Sequence, residues 1–389
     1  MSKFKLKYSM KKNAKIFVAG DRGLVGSAIL KKLKEAGYTN LITRTRTELD
    51  LVDCIEVSYF FAKFKPDYVF IAAAKVGGIA ANNKYRADFL YENLMIQTNI
   101  IHHSYLNKVK KLIFLGSTCI YPKKCNLPIK EEYLLTGELE YTNEPYAIAK
   151  IAGIKICESY NLQYGTNFIS LMPTNLYGPN DNYNLESSHV LPALIRKIYL
   201  GKALERNNWK LIKEDLNKRP IEKITGKSSK DEILAKLSNY GVFIKSKNNE
   251  DIHVEIEIWG SGKPLREFLW SEDMAEAALY IMNRIDFIDL TELKVDEEIR
   301  NCHINVGTGK EISIKDLSYL IKRIIGFDGS LFFNSDKPDG TLRKVTDPSK
   351  IHKLGWHHKV EIEEGIKKMY MEYTGVDHFL KPEEGIAKY

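Results

Sequence analysis

The sequence lacks the cysteine patterns that mark secreted, disulfide-bonded and zinc-binding proteins. Its five cysteines include no CxxC pair, and the histidines form no cluster with metal-ligand spacing; the cysteines are Cys54, Cys119, Cys125, Cys157 and Cys302. The basic opening, residues 1–13, has no apolar core and is predicted to be a tail rather than a signal peptide. Reduced thiols in a cytoplasmic protein, and no metal, are therefore expected.

Long apolar runs, internal repeats and a strong excess of one charge are also absent. No stretch is long enough to cross a bilayer, so no membrane contact is expected. The net charge is +8, but lysines lie along the whole chain among nearly as many acids, which argues against nucleic acid as a partner. A mild basic excess does suit an enzyme of anionic ligands such as nucleotide phosphates.

Short β-branched runs alternate with amphipathic ones from residue 14 onward. "KIFVAG", "DYVFIAAA" and "KKLIFLGS" are typical of buried strands, and "LVGSAILKKLKEAG" is typical of a helix. This alternation predicts an α/β protein with a Rossmann-type, doubly wound parallel sheet. A chain of 389 residues is long for one core, so we also expect a smaller, mixed C-terminal domain.

The predicted domain boundaries follow changes in sequence texture. A dinucleotide-binding domain is expected over 14–180, with some later elements returning to it, then a substrate domain over 181–372 and a C-terminal tail over 373–389. Residues 203–252 are charged and weakly periodic, and we interpret them as an insertion that forms a surface excursion. Within the insertion, "SKDEILAKLSNYG" predicts one short helix that Gly241 closes.

The stretch "AGDRGLVGSAI" carries three glycines between the first strand and the first helix. Gly20 would permit the tight turn, Gly23 would let the backbone approach a pyrophosphate, and Gly26 would allow close helix packing. The second strand ends with Arg44 and Arg46 instead of an acid, which favours NADP over NAD unless these are chance basic residues.

The stretch "NEPYAIAK" places Tyr146 and Lys150 four residues apart on one face of a helix that Pro145 begins. A neighbouring ammonium lowers a phenol pKa, so this pair suits proton transfer. Ser117 or Thr118, at the end of the fourth strand, would bond the substrate's oxygen. Cys119 stands beside them, although a free cysteine is usually a small buried hydrophobe.

Together with "GSTCIYP", "MPTNLYGPND", "SHVLPALIRK" and "WGSGKPLREFL", these motifs resemble the GDP-L-fucose synthase family of extended short-chain dehydrogenases/reductases. The resemblance runs from about residue 14 to residue 372. It implies an enzyme that converts GDP-4-keto-6-deoxy-mannose to GDP-L-fucose, by epimerising C3 and C5 and then reducing C4 with NADPH. It also implies a homodimer that pairs through helices flanking the sheet.

The resemblance assigns roles residue by residue. Ser117, Tyr146 and Lys150 match the reductive residues, and Cys119 and His189 match the base and acid of epimerisation. The matches for NADP(H) are Gly20, Asp21, Arg22, Gly23, Leu24, Val25, Gly26, Arg44, Thr45, Arg46, Thr47, Glu48, Leu49, Leu115, Gly116, Thr118, Lys150, Pro173, Thr174, Asn175, Leu176 and His189. The matches for the GDP-sugar are Lys197, Trp259, Arg266 and Asp339, with Lys197 at a position where arginine is often found.

Two alternatives stay open at this point. The chain could reduce C4 of a related GDP-4-keto-6-deoxy sugar, such as a deoxyheptose, with Cys119 and His189 idle; the insertion between Lys197 and Trp259 motivates this alternative. It could also be an NADP-binding sensor without catalysis, although Tyr146 and Lys150 are intact.

Overall fold

The computed structural model describes residues 9–248, 251–291 and 298–376. The strands are β1 (Ile16–Ala19), β2 (Leu41–Ile42), β3 (Tyr68–Ile71), β4 (Lys111–Leu115), β5 (Phe168–Pro173), β6 (Asn175–Tyr177), β7 (Val242–Asn248), β8 (Asp251–Trp259), β9 (Leu265–Arg266), β10 (Phe268–Trp270), β11 (Ile304–Val306), β12 (Ile312–Ser313), β13 (Ser330–Asn334) and β14 (Arg343–Lys344). The helices are α1 (Leu24–Glu35), α2 (Cys54–Phe64), α3 (Ile79–Lys84), α4 (Arg86–Leu106), α5 (Glu144–Tyr164), α6 (Val190–Glu205), α7 (Trp209–Lys218), α8 (Lys230–Asn239), α9 (Ser271–Arg284), α10 (Phe287–Thr291), α11 (Ile314–Ile325), α12 (Ser349–Lys353) and α13 (Ile362–Thr374).

Six of the strands form a parallel sheet in the order β11, β5, β4, β3, β1, β2. The chain leaves β1 for β2 on one side and returns for β3 on the other, so the order reverses between β1 and β3. The predicted doubly wound sheet is confirmed. Ligands of such sheets bind at the carboxyl ends of the strands where the order reverses.

Two apolar cores cover the two faces of this sheet. Helices α1 and α9 contribute to one, and α2, α4 and α5 contribute to the other. Strand β11 and helix α9 come from late in the chain and return to the sheet, whose strands are buried because both faces are covered.

The C-terminal region is mixed, as predicted, and is built from small sheets. β8 pairs antiparallel with β7 and parallel with β13, while β9 lies between β12 and β14. A third core joins these strands to α6, α11 and α13. Across the described residues, no helix is both long and apolar enough to span a membrane.

Residues 203–252 do not form the surface excursion that their charge suggested. Ile212, Leu216, Ile233 and Leu237 are fully buried in the third core. The short helix exists as α8, which begins with a reciprocal cap between Ser229 and Glu232. The charged residues lie on the outer faces of amphipathic elements, and the few apolar ones are enough to anchor them.

The ends of the chain differ in part from the predicted tails. Residues 1–8 and 377–389 lie outside the described residues. Met10 is buried, and its backbone N–H donates to Asn283 Oδ1 at 3.0 Å, so the end of the predicted N-terminal tail contacts the domain. At the other end, α13 continues to Thr374.

Candidate active site

The glycine turn lies at the point where the sheet order reverses. Gly20 has a φ of +83°, and a Cβ there would lie 2.6 Å from the Ala73 nitrogen beyond β3. A Cβ on Gly26 would lie 2.0 Å from the Gly20 oxygen, so α1 could not approach β1 as closely. Gly23 is the N-cap of α1 and is less crowded. The turn therefore directs the N-terminus of α1 at a space suited to an anion.

That space is a pocket of about 380 Å³, which is lined by Gly20–Gly23 and Arg44–Thr47. The Arg44 guanidinium lies 4.3 Å from the Phe64 ring centroid, and Arg46 is exposed and pairs with Glu92 at 3.5 Å. Glu48 also follows β2, but its carboxylate accepts from the Thr45 N–H, which lowers its pKa. The pocket thus combines a helix N-terminus with cations, as a phosphorylated dinucleotide needs.

Ser117 and Cys119 occupy a short 3₁₀ turn at the carboxyl end of β4. The Ser117 hydroxyl oxygen accepts a hydrogen bond from the Cys119 N–H at 3.3 Å. Cys119 is buried, and burial raises the pKa of its thiol, while Lys344, Ser117 and Lys150 oppose that rise. The thiol therefore lies next to several groups that favour its ionised form.

Tyr146 and Lys150 approach the same strand end from α5. The Lys150 ammonium donates to the Leu115 carbonyl at 2.9 Å and lies 5.7 Å from the Tyr146 ring centroid. Burial lowers the pKa of Lys150 to about 8, and it raises the pKa of Tyr146 strongly, with Cys119 adding to the rise. The expected lowering of the phenol pKa is thus not seen in the protein alone, because desolvation of the buried phenol dominates its pKa.

His189 lies at the end of the loop between β6 and α6, separate from the segments described above. It is the N-cap of α6, and its ring makes no hydrogen bond to any described residue. Surrounding protein atoms lower the pKa of the imidazole by desolvation, although the residue keeps a solvent-accessible face. The loop before it is tied to α1 by a hydrogen bond from the Asn180 amide to the Ser27 hydroxyl at 3.3 Å.

Residues Pro173–Leu176 connect the sheet to the C-terminal region. Thr174 donates its backbone N–H to the Val306 carbonyl at 3.1 Å, and the Asn175 side chain donates to the Glu267 carbonyl at 2.8 Å. This predicted cofactor segment is therefore fixed from both the sheet and β9–β10.

The four predicted GDP-sugar residues lie on several separate segments. Arg266 is on β9, and its guanidinium donates to the Thr341 carbonyl at 2.6 Å. Asp339 accepts from the Ser261 N–H at 2.8 Å, which closes the loop after the exposed Trp259. Lys197, on α6, donates to the Glu257 carbonyl at 3.3 Å, and burial lowers its pKa to about 8. Helix α6, the end of β8, β9 and the loop before β14 thus supply two cations, an aromatic ring and a carboxylate.

Sequence reasoning missed Lys344, which the structure places close to both Arg266 and Cys119. It pairs in β14 with Arg266 of β9. Burial lowers the pKa of its ammonium, while the nearby Cys119 opposes the fall. Lys344 lies in "KPDGTLRK", next to a predicted contact, but nothing in the local pattern shows that it approaches a cysteine 225 residues earlier.

The glycine turn, the pocket and the Tyr-Lys pair define a dinucleotide-dependent enzyme fold. The model of the NAD dependent epimerase/dehydratase family matches residues 16–221 and 240–305. GDP-L-fucose synthase 1 of Arabidopsis thaliana is 46% identical over 93% of this chain and 94% of its own. The chain belongs to the NAD dependent epimerase/dehydratase family and, within it, to the group that includes the GDP-L-fucose synthases.

Two solved structures from Campylobacter jejuni are also similar. One is a GDP-6-OMe-4-keto-L-xylo-heptose reductase, 47% identical, with a TM-score of 0.85 over 94% of this chain and 99% of that one. The other is a GDP-D-glycero-L-gluco-heptose synthase in the presence of NADPH, 46% identical, with a TM-score of 0.84 over 94% and 100%.

Proposed function

We propose that this chain is an NADPH-dependent enzyme that converts GDP-4-keto-6-deoxy-mannose to GDP-L-fucose, by epimerising C3 and C5 and then reducing the C4 ketone. The observation that carries the proposal is a buried cysteine beside a Tyr-Lys pair at the carboxyl end of β4. Similarity to the GDP-L-fucose synthases supports the reaction and confirms the predicted enzyme class, and the relative solved with NADPH supports the cofactor.

The pocket at the glycine turn fits NADP(H). The N-terminus of α1 would face the pyrophosphate, and Arg44 and Arg46 would lie beside the 2′-phosphate. Arg46 would then exchange its exposed pairing with Glu92 for a phosphate contact. When bound, NADPH supplies the hydride for the ketone; the residues described below orient the sugar and move protons.

In the reductive step, Tyr146 donates a proton to the C4 oxygen. The raised pKa keeps the phenol protonated at neutral pH, so the donor form is the resting one. Lys150 is fixed by the Leu115 carbonyl and stabilises the phenolate that the transfer leaves. Ser117 uses its oxygen to accept from Cys119, which leaves its hydroxyl hydrogen for the substrate's oxygen.

In the epimerisation, Cys119 and His189 move protons at C3 and C5. The 4-keto group acidifies the hydrogens on these carbons, so one group must remove a proton and another must return it on the opposite face. Lys344 favours the thiolate of Cys119, and the accessible face of His189 allows proton exchange with solvent. General acid and base catalysis of this kind contributes about 10²- to 10⁴-fold in rate.

A second candidate function is C4 reduction of a related GDP-4-keto heptose without epimerisation. The two Campylobacter jejuni structures, which are as similar to this chain as the fucose synthase, favour it. Cys119 would then be present without moving a proton at C3 or C5. The glycine turn, Tyr146 and Lys150 would act in the same way for either sugar.

The deciding experiment incubates the protein with GDP-4-keto-6-deoxy-mannose and NADPH in D₂O and measures deuterium at each carbon of the product. Label at C3 and C5 with NADPH consumed is the expected result. NADPH consumption without label would support the reductase, and the same assay with a GDP-4-keto heptose would then identify its sugar. No NADPH consumption with either sugar would refute both proposals.

We also propose that the protein is a homodimer that pairs through α4 and α5. Tyr105 stacks on Tyr164 at 4.4 Å on the outside of these helices, next to the exposed Leu106 and Leu162. An exposed apolar face of this kind is typical of a protein interface. Light scattering should give twice the chain mass, and L162E should halve it. A cytoplasmic location is part of the same proposal and is supported by the five free cysteines.

A further inference from the structure

Glu267 is a fully buried carboxylate that the reaction described above does not use. It follows Arg266 and is 0% exposed. Its Oε1 accepts the backbone N–H groups of Thr308 at 2.6 Å and Gly309 at 2.8 Å, and its Oε2 accepts that of Thr346 at 2.8 Å. The Thr346 hydroxyl also donates to Oε2, at 2.9 Å. These donors compensate the desolvation of the charge.

The surroundings are shaped around this carboxylate. A Cβ on Gly307 would lie 2.2 Å from Glu267 Oε1 and 2.2 Å from the Thr346 hydroxyl, so only glycine leaves room for the contact. The backbone carbonyl of Glu267 accepts from the Asn175 side chain at 2.8 Å. One residue therefore joins β9–β10, the loop after β11, the chain after β14 and the cofactor segment at β6.

The hydrogen bonds between Glu267 and Thr346 lie beside a pair of like charges. Lys344 of β14 pairs in register with Arg266 of the parallel strand β9, so two like charges lie side by side and repel each other. Burial lowers the pKa of Lys344, and Arg266 lowers it further, while Cys119 acts in the opposite direction. The hydrogen bonds from Thr346 to Glu267 begin two residues after Lys344 and hold the two segments together.

We propose that Glu267 is a positioning residue that holds Arg266 and Lys344 side by side, so that both cations can bind the diphosphate of the sugar nucleotide. The inference rests on the proposed function for the identity of that ligand. Two cations fixed in advance bind a diphosphate more tightly than mobile ones, because little ordering remains to be done on binding. Glu267 acts through these side chains and does not itself touch the ligand.

The test uses Glu267→Gln with GDP as the probe. The glutamine keeps an oxygen for Thr308 and Gly309, but its NH₂ group cannot accept the Thr346 N–H, so the end of β14 should shift. We expect the dissociation constant for GDP, measured by calorimetry, to rise about 10-fold, and the KM for the sugar nucleotide to rise similarly. The dissociation constant for NADPH should change less than about 2-fold.

The matched control is Glu158→Gln. Glu158 is also a buried carboxylate, and it accepts a backbone N–H just before β11, from Cys302 at 3.2 Å. Its side-chain partner is Lys155 of its own helix, not a residue of β9 or β14. The Glu158→Gln variant should have a lower melting temperature than the unmodified protein and the same dissociation constant for GDP. Unchanged GDP binding in E267Q, or equal weakening in both variants, would overturn the proposal.

A double-mutant cycle separates positioning from general destabilisation. If Glu267 acts through Lys344, E267Q should weaken GDP binding much less in a Lys344→Met background than alone; full additivity would refute the proposal. Should E267Q not fold, Thr346→Val removes only the hydroxyl bonds and should weaken GDP binding about 3-fold. GDP binding that responds to these changes in a protein without keto-sugar turnover would refute the proposed reaction and leave the positioning role intact.

Discussion

The cofactor side and the sugar-nucleotide side of the site are built in different ways. The proposed cofactor side consists of Gly20–Gly26, Arg44–Leu49 and the start of α5, three short segments at the edge of one sheet. The proposed sugar-nucleotide side consists of Lys197, Arg266, Asp339 and Lys344, which come from α6, two short strands and a loop. The first is a backbone turn and a helix end, and the second is a set of side chains held by other side chains.

This difference determines which substitutions each side can tolerate. A helix N-terminus attracts an anion through backbone N–H groups, so its chemistry depends on a few glycines and on the sheet beneath. Cations that lie next to one another repel, so other contacts must hold their strands together. Here the hydrogen bonds to buried Glu267 do so. We therefore expect changes on the two sides to act on different measurements, and each prediction below tests that separation.

The largest expected effect is that of Tyr146→Phe. Loss of the proton donor should lower the rate of NADPH oxidation about 10³-fold, while deuterium exchange at C3 and C5 continues, because Cys119 and His189 are untouched. The matched control is Tyr164→Phe, at the end of the same helix, which should change neither rate. Loss of exchange together with reduction would show that Tyr146 serves both steps, so that reduction and epimerisation do not use separate residues.

Cys119→Ser should have the opposite selectivity. A serine hydroxyl is a much weaker acid than a thiol, so deuterium incorporation should fall about 10²-fold, while NADPH is still oxidised with the unepimerised keto sugar. Cys125→Ser serves as the control with the same chemical change. If C119S left the labelling intact, epimerisation would have to use another group.

The double variant Arg44→Ala, Arg46→Ala should affect the cofactor side alone. Loss of two charged contacts to a 2′-phosphate should raise the KM for NADPH about 30-fold and leave the KM for NADH nearly unchanged. Exposed Lys34→Ala on α1 removes a charge outside the pocket and should have no effect. An equal change for both cofactors would contradict the phosphate role of these arginines.

The smallest expected effect concerns pH and Lys197. Its pKa of about 8 means that the ammonium is charged below that pH and neutral above it, so GDP binding should weaken about 5-fold between pH 7 and 9.5. Lys197→Arg stays charged and should flatten this profile. The same lysine binds fewer protons folded than unfolded between pH 8 and about 10.4, so its contribution to the free energy of unfolding should rise with pH there. An unchanged slope in K197R would assign the pH effect to another group.

The family, the parallel sheet and NADP(H) were predictable because their signals are short and local. Gly20, Gly23 and Gly26 mark a turn between a strand and a helix, and the alternation of strands and helices limits the topology. Tyr146 and Lys150 carry their relation in a four-residue spacing. The roles of the individual site residues and the domain boundaries stay predictions.

Other features could not be predicted, since they depend on burial and on contacts between distant segments. The charge of residues 203–252 suggested a surface excursion, but buried apolar side chains, four of them 0% exposed, anchor the segment. The pKa of Tyr146 was expected to fall and instead rises, because desolvation depends on the whole surrounding core. Glu267 gave no signal, since a single glutamate in "REFLW" looks like any exposed acid.

The sequence by itself determined the glycine turn, the order of strands and helices and the Tyr-Lys spacing, because backbone sterics and periodicity act within a few residues. Only the tertiary structure decided that Lys344 lies between Arg266 and Cys119, and that Glu267 holds the two cations together. Electrostatic energies depend on distance and burial, and both arise when segments far apart in the chain pack against each other.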